Sequence, residues 1–275
     1  MNELVIEAGK TERHYWADLW RYRELFFFLS WRDILVRYKQ TVIGILWAVL
    51  RPLLTMIVFT VVFGRLAKMP SEGLPYPVFV YVAMLPWLFF SSALAEASNS
   101  LITNANMISK IYFPRLVIPA SAVIVCFVDF LISAVILAGL MAWYHVLPGW
   151  RLLCLPLFTV LALFASFGVG LWLSALNVKY RDFRYVIPFV VQFGIFVSPV
   201  GFGSAVVRAK CGDLVYQLYG LNPMVGVIDG FRWAVGSDVP FNVSGLFTSI
   251  AVTVLLLFSG LKYFRATEKA FADII

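Results

Sequence analysis

The sequence predicts an all-α integral membrane protein. Six transmembrane helices are expected, with an N-terminal amphipathic interface helix and re-entrant helices on the outward side between spans five and six. Three observations predict it. Of the 275 residues, 61% are hydrophobic and 13% charged, against about 45–50% and about 25% in soluble domains. The apolar residues fall in blocks of about 20, the length a helix needs to cross a bilayer. Lys and Arg gather between alternate blocks, and this asymmetry sets an orientation. No second globular domain of ordinary size fits in what remains. Residues 1–275 therefore read as one transmembrane domain. Its parts are an interface helix at 15–38, a six-span bundle at 42–263, an outward re-entrant segment at 208–242 and a tail at 264–275.

Residues 1–12 are polar and read as loose. They carry charges of both signs and no clean apolar run, so no signal peptide is expected. Gly9-Lys10-Thr11 has the look of the end of a P-loop, but Leu4 stands where that loop needs Gly, so no nucleotide site is expected. From Tyr15 to Tyr38, Trp16, Leu19, Trp20, Phe27, Trp31, Ile34 and Tyr38 recur at helical spacing. Asp18, Arg21, Glu24 and Arg32 fall largely opposite, and Phe28 breaks the polar face. Aromatics opposite basic residues suit a helix lying in the membrane interface; a docked surface helix is the other reading.

Span one is placed at 42–63, with Arg51-Pro52 inside it. A turn-rich loop, Gly64 to Pro75, leads to span two at 76–97, which Pro86 is expected to bend. A polar stretch at 98–115 precedes span three at 116–143, which holds Asp129. Pro148-Gly149 marks a short loop before span four at 152–176. The compact basic loop Asn177 to Arg184 leads to span five at 185–207, interrupted by Pro188 and Ser198-Pro199. Leu214 to Leu221 and Met224 to Val235 are apolar but too short to cross, and Asn222-Pro223 separates them. Short helices of this kind dip into a bilayer more often than they span it. Span six is placed at 243–263.

Fifteen Lys and Arg lie in the N-terminal segment, the loops at 98–115 and 177–184, and the tail, while the opposite loops hold six. The richer side is expected to be cytoplasmic, which puts both termini inside and 208–242 outside. The net charge of +7 is read the same way, not as a nucleic-acid surface. Cys126, Cys154 and Cys211 show no metal-ligand spacing, and His14 and His145 have no acidic or thiol neighbour at ligand spacing. No metal, catalytic or cofactor residue is assigned.

Two groups inside the spans invite a role. Asp129 is the acid deepest in a span. A charge there costs on the order of 3 kcal/mol, so it faces either a pore or a partner on a neighbouring helix. Arg51 raises the same question beside Pro52. Trp87, Phe89, Phe90, Phe196 and Phe202 read as core and interfacial belt, or as a surface on which sugar rings stack. On the cytoplasmic side, Thr103 to Lys110 with Phe113-Pro114-Arg115, and Asn177 to Phe183, form two compact charged knobs that suit docking to a soluble partner; simple connecting loops are the alternative.

At these motifs the chain resembles the transmembrane subunits of ABC-2-type exporters of polysaccharides: O-antigen, capsule and teichoic-acid permeases. The resemblance is carried by Arg37-Tyr38-Lys39-Gln40 with Ile43-Gly44, Trp47 and Pro52; by Asn104 through Pro114; by Lys179-Tyr-Arg-Asp-Phe183; and by Leu221-Asn-Pro-Met224 with Gly230-Phe-Arg232. It covers essentially the whole chain. Arg51 departs from it, since a neutral polar residue such as Gln is expected before Pro52.

The resemblance implies a bacterial inner-membrane protein that pairs with a second copy of itself as a homodimer. The pair encloses a channel for a lipid-linked glycan, and two copies of a separate ATPase subunit, holding ATP and Mg, bind below. Coupling to the ATPase would fall to Asn104, Asn106, Lys110, Tyr112, Lys179, Tyr180, Arg181 and Asp182. Substrate would be admitted past Arg37, Tyr38 and Lys39, whose cations suit a carrier-lipid phosphate. Arg51, Trp87, Phe89, Phe90, Asp129, Phe196 and Phe202 are the channel candidates, and Asn222, Pro223 and Arg232 a periplasmic gate. Two other classes remain: a stand-alone secondary transporter or channel, and a membrane-embedded transferase using Glu72, His145, Asp213, Asp229 or Asp238.

Overall fold

A computed structural model describes residues 15–39, 42–147, 149–180, 182–236 and 239–271. His14, the segment 1–12, Gln40, Pro148, Arg181, Asp238 and the last residues of the tail lie outside them. The described residues are helical and contain no strand. The order is α1 (Tyr15–Arg21), α2 (Arg23–Lys39), α3 (Val42–Phe59) with a π-helical extension (Thr60–Leu66), α4 (Tyr76–Thr103), α5 (Ala105–Ile108) and α6 (Val117–Trp143). A 3-10 turn (Trp150–Cys154) then leads into α7 (Leu155–Lys179), followed by α8 (Phe183–Val197), α9 (Ser204–Tyr219), α10 (Pro223–Val235) and α11 (Val243–Thr267). A second 3-10 turn (Glu268–Ala270) ends the series.

The chain is a multi-pass membrane protein. Five of its helices, within Leu46–Leu66, Tyr76–Thr103, Val117–Trp143, Trp150–Lys179 and Val243–Ala270, are long and apolar enough to cross a bilayer. The predicted fifth span, 185–207, takes a different form. Its helix, α8, has 15 residues, about 22 Å of helix against a hydrocarbon core of about 30 Å. It ends at Ser198, whose backbone is extended before Pro199, as expected for a residue preceding proline. The chain re-enters helix at Ser204, inside the stretch that hydropathy assigns to the end of the span. The predicted loop at 98–115 also begins later, because α4 stays helical to Thr103. The predicted tail from 264 continues α11 instead, and Phe271 beyond it is buried on Phe264 at 5.4 Å between ring centroids.

Helix α4 is the centre of the bundle. It packs most extensively on α7 and α6, and most of its surface is buried, whereas α3 and α11 keep most of theirs exposed. Helix α10 is buried along nearly its whole length between α4, α7 and α11. Small residues permit the tightest crossings. A Cβ on Gly168 of α7 would lie 2.7 Å from the backbone nitrogen of Leu257, and one on Gly260 of α11 would collide with the Gly168 carbonyl. Backbones that approach this closely gain the dispersion contacts that hold helices together where no hydrophobic effect separates helix from lipid. Alongside, the Trp172 indole N–H donates to Ser259 Oγ at 3.0 Å and its ring stacks on Tyr263 at 4.3 Å.

A second apolar core closes the predicted cytoplasmic end. Tyr15 and Leu29, Ile108 and Phe113, Val178, and Phe264 and Phe271 join α1, α2, the α5 loop, α7 and the chain end. Helix α2 packs along α6 while Trp16, Trp20, Phe27 and Trp31 stay exposed. Trp20 is 73% exposed, part of an aromatic stripe that the other described residues leave uncovered.

Candidate functional site

Three places concentrate polar chemistry. The first is a cavity of about 420 Å³ between α2, α3, α4, α6 and α8. Arg37 of α2 reaches Asp129 of α6 at 2.8 Å and Glu96 of α4 at 3.7 Å, and the Tyr38 hydroxyl donates to Asp129. Burial, then this bond to Asp129, pushes the Tyr38 phenol up. The acid deep in span three therefore meets the interface helix, which is one of the two roles its position suggests. Lys39 is exposed at the end of α2. Arg51, Phe89 and Trp47 line the same cavity, with Arg51 entering from α3.

The aromatic channel candidates divide. Trp87, Phe89 and Phe90 are buried inside the bundle: Phe89 packs on Phe127 and Phe130, and Trp87 on Phe90. Phe196 is exposed on α8 and stacks on Phe59 of α3 at 6.0 Å. Phe202 is half-buried, and its carbonyl serves the second site.

That second site is the buried cluster around α10. Asn222 accepts the Met224 amide at 3.0 Å as an N-cap, and Pro223 follows at the first helical position, where no N–H is missed. The Asn222 amide also donates to Ser198 Oγ at 3.0 Å. Arg232 is 1% exposed. It donates to the Val200 and Phe202 carbonyls at 3.0 Å each, and its guanidinium lies 3.7 Å from the Phe79 ring centroid. Asp229, one turn earlier, accepts from Ser204 at 2.6 Å and Asn242 at 2.8 Å. Thus Asn222 and Arg232 tie the α10 region to the segment joining α8 and α9, and Asp229 ties it to the first residue of α9. Burial lowers the Arg232 guanidinium to about 10, against the pull of Asp229 and Glu72, and burial raises both of those carboxyls. Helix α9 itself breaks at Gly212, whose φ of 84° suits glycine.

The third site is the surface of the second core. Ile108 and Phe113 are buried, and between them Ile111 and Tyr112 are 60% and 50% exposed; Lys110 is exposed beside them. Two buried anchors around an outward turn make a fixed knob. Asn104 at its base accepts from Arg32 of α2 at 3.3 Å, and Asn106 is exposed. At its far end the Arg115 amide donates to Glu268 Oε1 at 2.8 Å, and the Arg115 guanidinium to the Glu268 carbonyl. Arg265 lies over the Tyr15 ring at 4.3 Å. The second predicted knob is only partly described: Lys179 sits 5.1 Å from the Tyr180 ring, Asp182 precedes α8, and Arg181 lies outside the described residues. The structure thus keeps the knobs apart from the cavity, with α2 touching both the cavity and Asn104.

Sequence reasoning missed Glu268, Arg115 and Tyr15 as one cluster, and Asp229 as the acid beside Arg232. Their hydrogen-bond partners lie 13 to 153 residues away, so no local pattern marks the pairing.

Residues 24–235 match the family model described as ABC-2 type transporter. This chain belongs to that family. The ABC-2 match runs from α2 through α10, so it includes the cavity, the α5 knob and the Arg232 cluster, while Glu268 lies past its end. Among ABC-2 relatives, the O-antigen export system permease protein RfbA of Myxococcus xanthus is 25% identical over 259 residues, 94% of this chain and 98% of its own. A protein of the same name from Klebsiella pneumoniae is 27% identical over 251 residues, 89% and 92% of the two chains. The polysialic acid transport protein KpsM of Escherichia coli is 26% identical over 251 residues, 87% and 92%.

Proposed function

We propose that this ABC-2 chain is the channel-forming permease subunit of an ATP-driven exporter. Its cargo is a lipid-linked polysaccharide, moved from the cytoplasm to the periplasm across a bacterial inner membrane. One observation carries the reading: relatives matched over nearly their full length are permeases and transport proteins for O-antigen and polysialic acid. Two copies pair along α3 and α8, whose apolar faces are left exposed, and a channel opens between them. Two copies of a separate ATPase, binding ATP and Mg, dock beneath the α5 knob and the Lys179–Asp182 turn. Both termini lie in the cytoplasm, on the side rich in Lys and Arg, and α8 to α10 form the outward re-entrant gate.

In this reading the cavity around Arg37, Asp129 and Arg51 admits the carrier lipid's head from the side, beneath the aromatic stripe of α1 and α2. ATP closes the ATPase dimer, the knobs follow it, and the rigid second core passes the movement to α2, α7 and α11. Deleting the gene should leave the glycan inside the cell, and the tagged chain should co-purify with an ATPase. A chain that purifies alone and still moves solute would be a secondary transporter instead.

Coupling has its own test. Lys110 and Tyr112 are exposed on the knob, and among the described residues their side chains make none of its hydrogen bonds, so changing both to Ala should leave folding intact. The glycan-stimulated ATPase rate of the complex is expected to fall roughly fivefold or more, as the loss of about 1 kcal/mol of coupling implies. Unchanged stimulation with normal assembly would remove the knob from the coupling path.

A further inference from the structure

The cavity holds two arginines in different electrostatic circumstances. Arg37 has Asp129 at 2.8 Å and Glu96 at 3.7 Å, so its charge is compensated within the protein. Arg51 has no carboxylate or carbonyl partner for its guanidinium among the described residues, and its side chain is exposed to the cavity. It nevertheless sits inside a spanning helix, nine residues beyond Val42 where α3 begins, about 13 Å along the axis. An unpaired charge at such a depth is costly, and arginine in membranes is stabilised by an anion or by water. The rest of the lining mixes apolar side chains, among them Trp47, Leu88 and Phe130, with Ser92 and with the Glu96 and Asp129 carboxylates that face Arg37. Such a lining suits an amphiphile that carries an anionic group. Pro52, buried directly after Arg51 inside α3, has no N–H to donate to the helical ladder there.

We infer that Arg51 is the anion subsite of the cavity: it takes the phosphate or carboxylate oxygens of the molecule being admitted. The planar guanidinium can present two parallel N–H donors to such a group. Arg37 and Tyr38 then act by holding Asp129, so that the acid does not neutralise Arg51. The inference deepens the export reading and rests on it for the identity of the cargo. The anion has two possible sources, the pyrophosphate of a carrier lipid or a charged sugar in the glycan.

The test uses the full chain in neutral phosphatidylcholine nanodiscs. Two matched pairs of probes are titrated: polyprenyl pyrophosphate against polyprenol, and a carboxylated oligosaccharide against its neutral counterpart. Wild type is expected to prefer the anionic member of at least one pair by about tenfold, the scale of a charge-assisted hydrogen bond. Arg51→Gln should reduce that preference to about twofold or less, and Arg51→Lys should keep most of it. The pair that shows the effect identifies the source. A preference that survives in Arg51→Gln, or that wild type lacks in both pairs, overturns the inference. Should Arg51→Gln not fold, Arg51→Met, which suits an apolar helix, takes its place against Arg51→Lys. Gene deletion that left surface glycan unchanged would sink the export reading alone, because the binding preference does not depend on it.

Discussion

Replacing Arg232 with Ala is expected to lower the thermal midpoint of the purified permease by roughly 10 °C, the shift that about 3–5 kcal/mol gives in a chain of this size. The side chain is fully buried and donates to two carbonyls that belong to the turn after α8. Its removal leaves the Val200 and Phe202 carbonyls without these donors, strips the cation from the Phe79 ring, and leaves Asp229 and Glu72 without the opposing charge beside them. Unpartnered buried groups cost more than the original bonds contributed. Arg232→Lys keeps the charge but cannot reach both carbonyls in one plane, so it should recover only part of the loss. Size-exclusion chromatography after heating reads the midpoint. A shift under about 2 °C for Arg232→Ala, equivalent to less than about 1 kcal/mol, would mean that the cluster does not hold α10 to the segment after α8.

The α7–α11 crossing should respond as strongly, for a different reason. Gly168→Leu places a branched side chain where a single Cβ is already 2.7 Å from the Leu257 nitrogen and 2.9 Å from the Leu256 carbonyl carbon. Backbone cannot swing aside as a side chain can, so the helices must separate and the Trp172–Ser259 bond is strained with them. Overpacking of this kind costs about 1–3 kcal/mol and at times more, and Gly168→Leu belongs at the upper end. Gly168→Ala should fall between it and wild type, because even one methyl collides. Gly139→Leu is the control, since nothing lies within 4 Å of a Cβ there. Equal midpoints for Gly168→Leu and Gly139→Leu would show that the close crossing is not needed for stability.

Much of the fold is legible in local pattern. The apolar blocks at 76–97, 116–143 and 243–263 form α4, α6 and α11 because a run of 20 apolar residues leaves a backbone in lipid no option but to bond within itself. Asn222-Pro223 marks the start of α10 because a cap and a missing N–H act within one turn. The stretch expected as span five, 185–207, is helical only to Val197 for the converse reason. Hydropathy continues through Ser198-Pro199, where the interruption is expected, and the extended residue before proline ends α8. The stretch from 264 reads as a charged tail because its charges are local facts, while the contacts that order it, Glu268 to Arg115 and Phe271 to Phe264, depend on where α6 begins.

The candidate site divides in the same way. Arg51 and Asp129 stand out because a charge inside an apolar run is conspicuous in any fold. What each does is set by its neighbours. Asp129 meets Arg37 and Tyr38 across 92 and 91 residues of chain, while Arg51, in the same cavity, meets no such partner among the described residues. Residue order alone establishes that this chain lives in a membrane and which stretches are long enough to cross it, since both follow from the solvation of local segments. Which charges are paired, which aromatics are core and which surfaces are left to a partner emerge with the packed bundle, because those depend on distances between helices that no local pattern encodes.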